Sequence, residues 1–402
     1  MLSNKHILVG ISGGIAAYKI PELIRSLIKE GAEVRVVTTQ NALQFVTELT
    51  LQTLSGSRVY SDVFAAINEH STEHISLPDW CDAMIVAPTT ANVLCKMANG
   101  IADDALTTTI CSCVARKPIV IAPAMNDKMW ENPAVQQAIA TIRGWEHITV
   151  LEPAEGMLAC GTCGKGRMPE IEELQEALEY ALTPQTMTGR RVLITAGGTQ
   201  EKIDPVRFVS NYSTGKMGVA LAQACARRGA QVTLVCGAIS ASIRNPLGRI
   251  TRIDAMSAKQ MHEACVEAWP NSDIAILCAA VADFAPTQEA AQKIKKEAGQ
   301  TELTLTLHTT PDIARSLGTT KRADQKLIGF ALETEHEKEN ALRKMERKNL
   351  DAIVLNSLRD KGAGFGTDTN VVTILQSNGT TTALSLQSKQ IISEEILTVL
   401  FS

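Results

Sequence analysis

The feature that most constrains the fold is a layout that the chain begins twice. Near the start, a β-branched run at 7–10 leads into the turn Gly10-Ile11-Ser12-Gly13-Gly14, a helical stretch at 16–30 and a second β-branched run at 33–38. After Gly189-Arg190-Arg191 the order returns, with a strand at 192–196, a glycine-rich turn, a helix at 218–228 and a strand at 231–236. Strands alternating with helices of that length need crossover connections, which make the strands parallel and cover both faces of the sheet with helices. Runs at 83–87 and 118–122 extend the pattern. The predicted fold class is therefore α/β, two Rossmann-like three-layer domains with mainly parallel sheets. The polar segment 182–189 divides them into residues 1–189 and 190–402.

Composition removes other classes. Among 402 residues, 39 Lys and Arg oppose 43 Asp and Glu for a net charge of -4, so no broad basic field addresses nucleic acid or an anionic membrane. Any anion site is local. No apolar run reaches the roughly 20 residues of a membrane span, and the first residues enter a strand without a signal peptide, so a cytoplasmic protein is expected. Cys81, Cys111, Cys113, Cys225, Cys236, Cys265 and Cys278 sit singly in apolar runs and should behave as small hydrophobes. Cys160-Gly161-Thr162-Cys163 stands apart from them.

Parallel sheets bind ligands past the carboxyl ends of their strands, and the polar motifs fall there. Ser12-Gly13-Gly14 can bring backbone amides to a phosphate. It is not G-x-G-x-x-G, and the second strand ends in Thr38-Thr39-Gln40 rather than a ribose-binding acid, which favours a mononucleotide such as FMN. Thr89, Thr90 and Asn92 offer hydroxyls and an amide, although Thr89 or Thr90 also reads as a helix cap. Asn126, between Met125 and Met129, reads either as an amide aimed into an apolar pocket or as another cap, and Asp103-Asp104 as a helix start. His74 could move a proton, though a lone histidine is commonly structural. The Cys-x-x-Cys pair lacks further zinc ligands, and its glycines suggest a flap carrying one working thiol.

In the second half, Ser210-Asn211-Tyr212-Ser213-Thr214-Gly215-Lys216-Met217-Gly218 would wrap a nucleotide or phosphorylated substrate, without Walker A spacing. Asp283 follows the apolar strand ending Ala279-Ala280-Val281. Lys293, Lys295 and Lys296 suit a triphosphate, although a charge run is otherwise a solvated face.

Taken in order, Ser12 to Lys19, His74, Pro123 to Trp130 and Cys160 to Met168 resemble the flavin-dependent cysteine decarboxylases. They resemble in particular the decarboxylase half of the bacterial bifunctional phosphopantothenoylcysteine decarboxylase/phosphopantothenate-cysteine ligase family. Ser210 to Gly218, Asp283, Lys293, Pro311 to Ile313, Gly329 to Thr334, Lys344 and Lys348 resemble its ligase half. The likeness spans nearly the whole chain, departing at Gly198 and Gln200, where many relatives carry Pro and Arg.

The resemblance implies a flavoprotein-like first domain binding FMN near Ser12, Gly13, Gly14, Thr38, Thr89, Thr90 and Asn92. His74 would steer or deprotonate the substrate thiol, Asn126 clamp its carboxylate, and Cys160 protonate the enethiol. In the second domain, Ala279, Ala280, Val281, Asp283, Lys293, Pro311, Asp312, Ile313, Phe330, Lys344 and Lys348 match CTP-binding positions. Asn211 matches the residue that handles an acyl-cytidylate, and Lys293 the one that forms it. The activity implied is ligation of 4'-phosphopantothenate to cysteine with CTP and Mg2+, whose ligands are unassigned, and then decarboxylation to 4'-phosphopantetheine by a homo-oligomer. A flavin-dependent decarboxylase of another cysteine-containing substrate, or a non-catalytic regulatory relative, is the alternative.

Overall fold

The computed structural model describes residues 2–64, 72–157, 161, 163–296, 300–333, 335–357, 364 and 366–401. The chain forms two compact units, Met1–Pro184 and Gln185–Ser402.

In the first unit, β1 (His6–Ile11), β2 (Glu33–Thr38), β3 (Val59–Tyr60), β4 (Ala83–Thr89), β5 (Ile119–Pro123) and β6 (Ile148–Val150) pair in parallel. Their order is β3-β2-β1-β4-β5-β6, so the winding reverses between β1 and β4. Alternation explains the layers. Ile7, Val9 and Ile11 join one core with Leu23 and Leu27 of the helix Ile20–Lys29, while Leu8, Met84 and Val86 face the other. The helix predicted for 16–30 starts as a 3-10 turn, Ile15–Lys19, and becomes α-helical at Ile20. Pro21 has no N–H to return to the preceding turn. An antiparallel hairpin follows the sheet, formed by β7 (Ala154–Met157) and β8 (Cys163–Arg167).

The second unit begins with β9 (Arg191–Ala196), a hairpin of β10 (Gln200–Lys202) and β11 (Phe208–Ser210), then β12 (Gln231–Cys236), β13 (Ile250–Asp254) and β14 (Ile274–Leu277). A second small sheet pairs β15 (Phe284–Pro286) with β16 (Leu307–Thr309). β17 (Lys326–Glu333), β18 (Ala352–Ser357), β19 (Thr369–Gln376) and β20 (Thr381–Ser388) complete the main sheet, ordered β13-β12-β9-β14-β17-β18-β19-β20. It is parallel as far as β18, and β19 and β20 extend it antiparallel. The helix Lys216–Arg227 packs so tightly on β9 that a Cβ at Gly218 would stand 2.6 Å from that of Ala196.

The cysteine expectation needs one correction. Cys81, Cys113, Cys225, Cys236 and Cys265 are buried, but Cys111 is exposed, on the opposite face of the helix Ala105–Cys113 from Leu106, Ile110 and Cys113. Burial pushes the Cys225 and Cys265 thiols up to about 12 and that of Cys236 to about 11.

Candidate active sites

The first unit holds a cavity of about 1080 Å3 past the carboxyl ends of β1, β4 and β5, where the winding reverses. Gly13, Gly14, Thr90, Asn92 and Asn126 line it, with Met125, Met129 and Met157 supplying apolar wall. Ser12 and Thr89 lie behind that wall and shape it. The buried Ser12 hydroxyl donates to the Pro88 carbonyl at 2.7 Å and accepts from the Thr90 amide at 3.0 Å, while Thr89 donates to the Val86 carbonyl at 2.6 Å. Thr90 caps the helix Ala91–Ala98, so capping and lining coincide in one residue. Thr38, fully buried at the end of β2 and outside the cavity lining, has a hydroxyl with no hydrogen-bond partner among the described residues.

Asn126 also serves twice. Its Oδ1 accepts from the Lys128 amide at 3.0 Å and caps the short helix Asp127–Trp130, and the residue lines the cavity between two methionines. The hairpin lies on this loop. The Met125 amide donates to the Gly166 carbonyl at 3.0 Å, and a Cβ at Gly166 would stand 2.1 Å from the Met125 carbonyl oxygen. Cys160 falls in sequence between β7 and β8 and lies outside the described residues. His74 stands on the helix Glu73–Trp80 among Arg58, Tyr60 and Asp62, and is not part of the cavity lining. Asp104 caps the helix Ala105–Cys113 with a reciprocal Thr107 bond, and Asp103 pairs with Lys96 at 2.6 Å, which accounts for that acidic pair.

The second unit holds a cavity of about 590 Å3 past the ends of β14 and β17. Asn211, Ala279, Ala280, Val281, Asp283, Phe330 and Lys344 line it. Asn211 donates through Nδ2 to the Val281 carbonyl at 3.0 Å, which joins the two motifs. Lys344 is held by Glu333 at 2.7 Å. Pro311, Asp312, Ile313, Lys348 and Lys293 fall outside the lining. Asp312 caps the helix Ile313–Thr320 and pairs with Lys348 at 3.0 Å. Burial works to raise the Asp312 carboxyl, but the Arg315 amide and the Lys348 ammonium outweigh it and hold it below the usual range. Lys293 is exposed beside Ile294, whose amide and carbonyl bond Asp204 and Arg207. The Arg207 guanidinium holds the Asp204 carboxyl far below the usual range.

Comparison with known proteins decides the family. A family model described as Flavoprotein matches residues 1–182, and one described as DNA/pantothenate metabolism flavoprotein C-terminal domain matches 187–402. The Coenzyme A biosynthesis bifunctional protein CoaBC of Bacillus subtilis (strain 168) is 46% identical over 400 residues, 99% of this chain and 97% of that protein. The chain belongs to the bifunctional CoaBC family. It is a coenzyme A biosynthesis enzyme with a flavoprotein decarboxylase domain and a ligase domain. A Cysteine/Cysteine sulfinic acid decarboxylase from an unknown prokaryotic organism is also 46% identical, over 358 residues, 88% of this chain and 98% of that protein. A crystal structure of the C-terminal domain of a CoaBC protein is 38% identical and covers 54% of this chain and 96% of its own, with a TM-score of 0.45.

The CoaBC cavities contain residues that the motifs did not indicate. In the second, Asn356, Asn370 and Lys389 reach the wall from β18, β19 and the start of the last helix, Lys389–Phe401. Burial, and then the charge of Lys216, lowers the Lys389 ammonium from its usual range. No local pattern marks these three positions, because the pairing of β18 with β19, and β20 leading into the last helix, bring them to one wall.

Proposed function

We propose that the second unit ligates 4'-phosphopantothenate to cysteine through an acyl-cytidylate made from CTP, and that the first decarboxylates the product with FMN. The observation that carries this reading is the coincidence of motif and cavity. Gly13, Gly14, Thr90, Asn92 and Asn126 line one, and Asn211, Ala279 to Val281, Asp283, Phe330 and Lys344 the other.

The first cavity fits a flavin mononucleotide in size and donor chemistry. Glycine backbone and the Thr90 and Asn92 side chains supply neutral hydrogen-bonding groups beside methionine, and Thr38, outside the lining at the end of β2, places an unsatisfied hydroxyl behind Thr39 and Gln40 of the wall. Bound FMN supplies a reversible two-electron oxidant for the thiol-bearing carbon. The chain's residues do the rest. The Asn126 amide holds the substrate carboxylate, His74 orients the thiol, and Sγ of Cys160 gives a proton to the enethiol. Since His74 is not in the lining, a second copy contributes it, which makes the enzyme a homo-oligomer. Exposed Ile15, Tyr18, Met129 and Met157 give the cavity an apolar rim for such a partner.

In the second cavity, CTP activates the pantothenate carboxylate and the cysteine amine displaces CMP. Lys293 neutralises charge on the triphosphate as pyrophosphate leaves, and Asn211 holds the acyl-cytidylate. Asp283, whose exposed carboxylate is at the cavity wall, would face a Mg2+ carried by the triphosphate, and that cation would supply charge screening for the attacking carboxylate.

One assay tests the reading. Phosphopantothenate, cysteine and Mg2+ with CTP should give CMP, pyrophosphate and phosphopantetheine by mass spectrometry, and ATP should not replace CTP. Release of CO2 from free cysteine without CTP would instead favour a cysteine decarboxylase, the activity named for one close relative.

A further inference from the structure

The wall of the ligase cavity carries two ammonium groups outside the matched nucleotide positions. Lys389 is 8% exposed, and no carboxylate among the described residues lies within ion-pair distance of it. Its Nζ donates to the carbonyls of Gly364, at 3.4 Å, and Thr367. Lys216 donates to the Gly366 carbonyl at 3.4 Å and to Asp368 at 2.6 Å. An ammonium has three donors, and each lysine spends two on the same short segment. Both side chains line the cavity. Behind them Asn370 donates to Asn356 at 3.1 Å.

Carrying a charge into so buried a position is unfavourable unless something answers it, and the carbonyl dipoles and the charge of Asp368, itself paired with Lys216, answer it only in part. An apolar residue would pack the start of the last helix without that cost. A buried lysine that spends two of its three donors on described residues, beside a half-buried lysine paired with Asp368, is suited to an oxyanion.

We propose that Lys389, with Lys216 beside it, binds a phosphoryl group of a ligase substrate at the floor of this cavity. The proposal rests on the ligase reading above; it gives Lys216, already within the Ser210 to Gly218 motif, a partner in that role and adds Lys389 to the site. The phosphoryl group belongs either to the triphosphate of CTP or to the 4'-phosphate of phosphopantothenate, while cysteine carries none.

The test uses the full-length, flavin-loaded protein with Lys389→Met, which keeps the stem and removes the charge, and Lys389→Arg, which restores the charge. Loss of one charge-assisted bond should raise the KM of one phosphorylated substrate on the order of tenfold or more. Which of the two moves assigns the source. The KM of cysteine, and the decarboxylation of supplied phosphopantothenoylcysteine, should stay as in the parent, and Arg should recover most of the loss. Unchanged KM values for both phosphorylated substrates would overturn the proposal. So would a rise for all three substrates that Arg does not rescue, since that marks a purely structural lysine. Should Lys389→Met not fold, Lys216→Met carries the same comparison. A parent protein without CTP-dependent ligation would defeat the ligase reading itself, an outcome separate from a working parent whose variant behaves identically.

Discussion

The two cavities differ in how they hold charge before any ligand arrives. The wall of the first is made largely of glycine backbone, hydroxyls, amides and thioethers, with Lys96 drawn off to Asp103 and Lys19 to Glu170 at its edge. In the second, Lys344 rests on Glu333 and Lys216 on Asp368, and beside it Lys348 rests on Asp312. A resident flavin needs a fixed, mostly neutral mould, whereas phosphorylated substrates come and go. Lysines parked on internal carboxylates can exchange one anion for another without being left unpaired in the empty state. On the proposed roles each cavity lacks one described residue, His74 from the first and Lys293 from the second, while Asn211, Asp283 and Lys344 gather around one space in the second.

The sharpest way to break this contrast is complementation. His74→Asn and Asn126→Asp should each abolish decarboxylation alone. After co-expression, mixed oligomers should recover a substantial fraction of it, because one intact site can draw each residue from a different copy. If the mixture stays as inactive as its parents, the first site is complete within one chain. Ligation should be intact throughout. Next in size is Gly166→Ala. A Cβ placed 2.1 Å from the Met125 carbonyl forces β8 off the loop that carries Asn126. A displacement of that kind costs about a hundredfold in decarboxylation. The same variant should ligate normally, and a loss of both activities would show that the damage is global. Smaller still is Thr38→Val. Replacing a buried hydroxyl that has no partner should leave the flavin-free protein as stable or more so by about 1 kcal/mol, and weaken FMN about tenfold. Flavin titration and thermal melts check both signs, and unchanged FMN affinity would remove Thr38 from the cofactor set.

How far the sequence carries is visible in these same residues. Ile7, Val9, Val34 and Val36 alternate with period two and the turn after β1 is rich in glycine, so the parallel sheet and its ligand-binding end are legible locally. Asn126 and Thr90 are legible only as an ambiguity between cap and ligand, which the fold resolves by using each for both. Gly166 falls within the Cys160 to Met168 motif, yet the reason for it is a carbonyl at Met125, forty-one positions away in sequence. Lys389 has no motif at all. Its place in the cavity depends on β19 and β20 extending the sheet antiparallel, a pairing that the repeated strand–helix layout does not announce. The position of His74 relative to Asn126 is a tertiary property and is invisible at the level of spacing.

The contrast in charge extends to pH. In the second unit Asp351 accepts from the Leu327 amide at 2.8 Å and from the Lys321 ammonium at 2.9 Å, with Lys326 at 3.3 Å. Burial works to raise this carboxyl, but those donors outweigh it and hold it below the usual range. A carboxylate depressed by folding adds stability that is fully present above its unfolded value, about pH 4, and is lost as the pH falls toward its folded value. In the first unit Glu152, held low by Lys165 and Arg143 against burial, sits on more exposed partners that water screens. Acid should therefore open the ligase unit before the flavin-loaded unit, with flavin fluorescence reporting one and CTP binding the other. Asp351→Asn should lower the stability of the second unit at neutral pH by about 1–3 kcal/mol, because Lys321 loses its anion. The gap between variant and parent should then narrow below about pH 4 and close only as the pH falls to the depressed folded value, where the parent's carboxyl is itself neutralised. A gap that persisted undiminished in acid would mean that Asp351 acts through the shape of its hydrogen bonds alone, and that the second unit does not depend on paired charge in the way its cavity suggests.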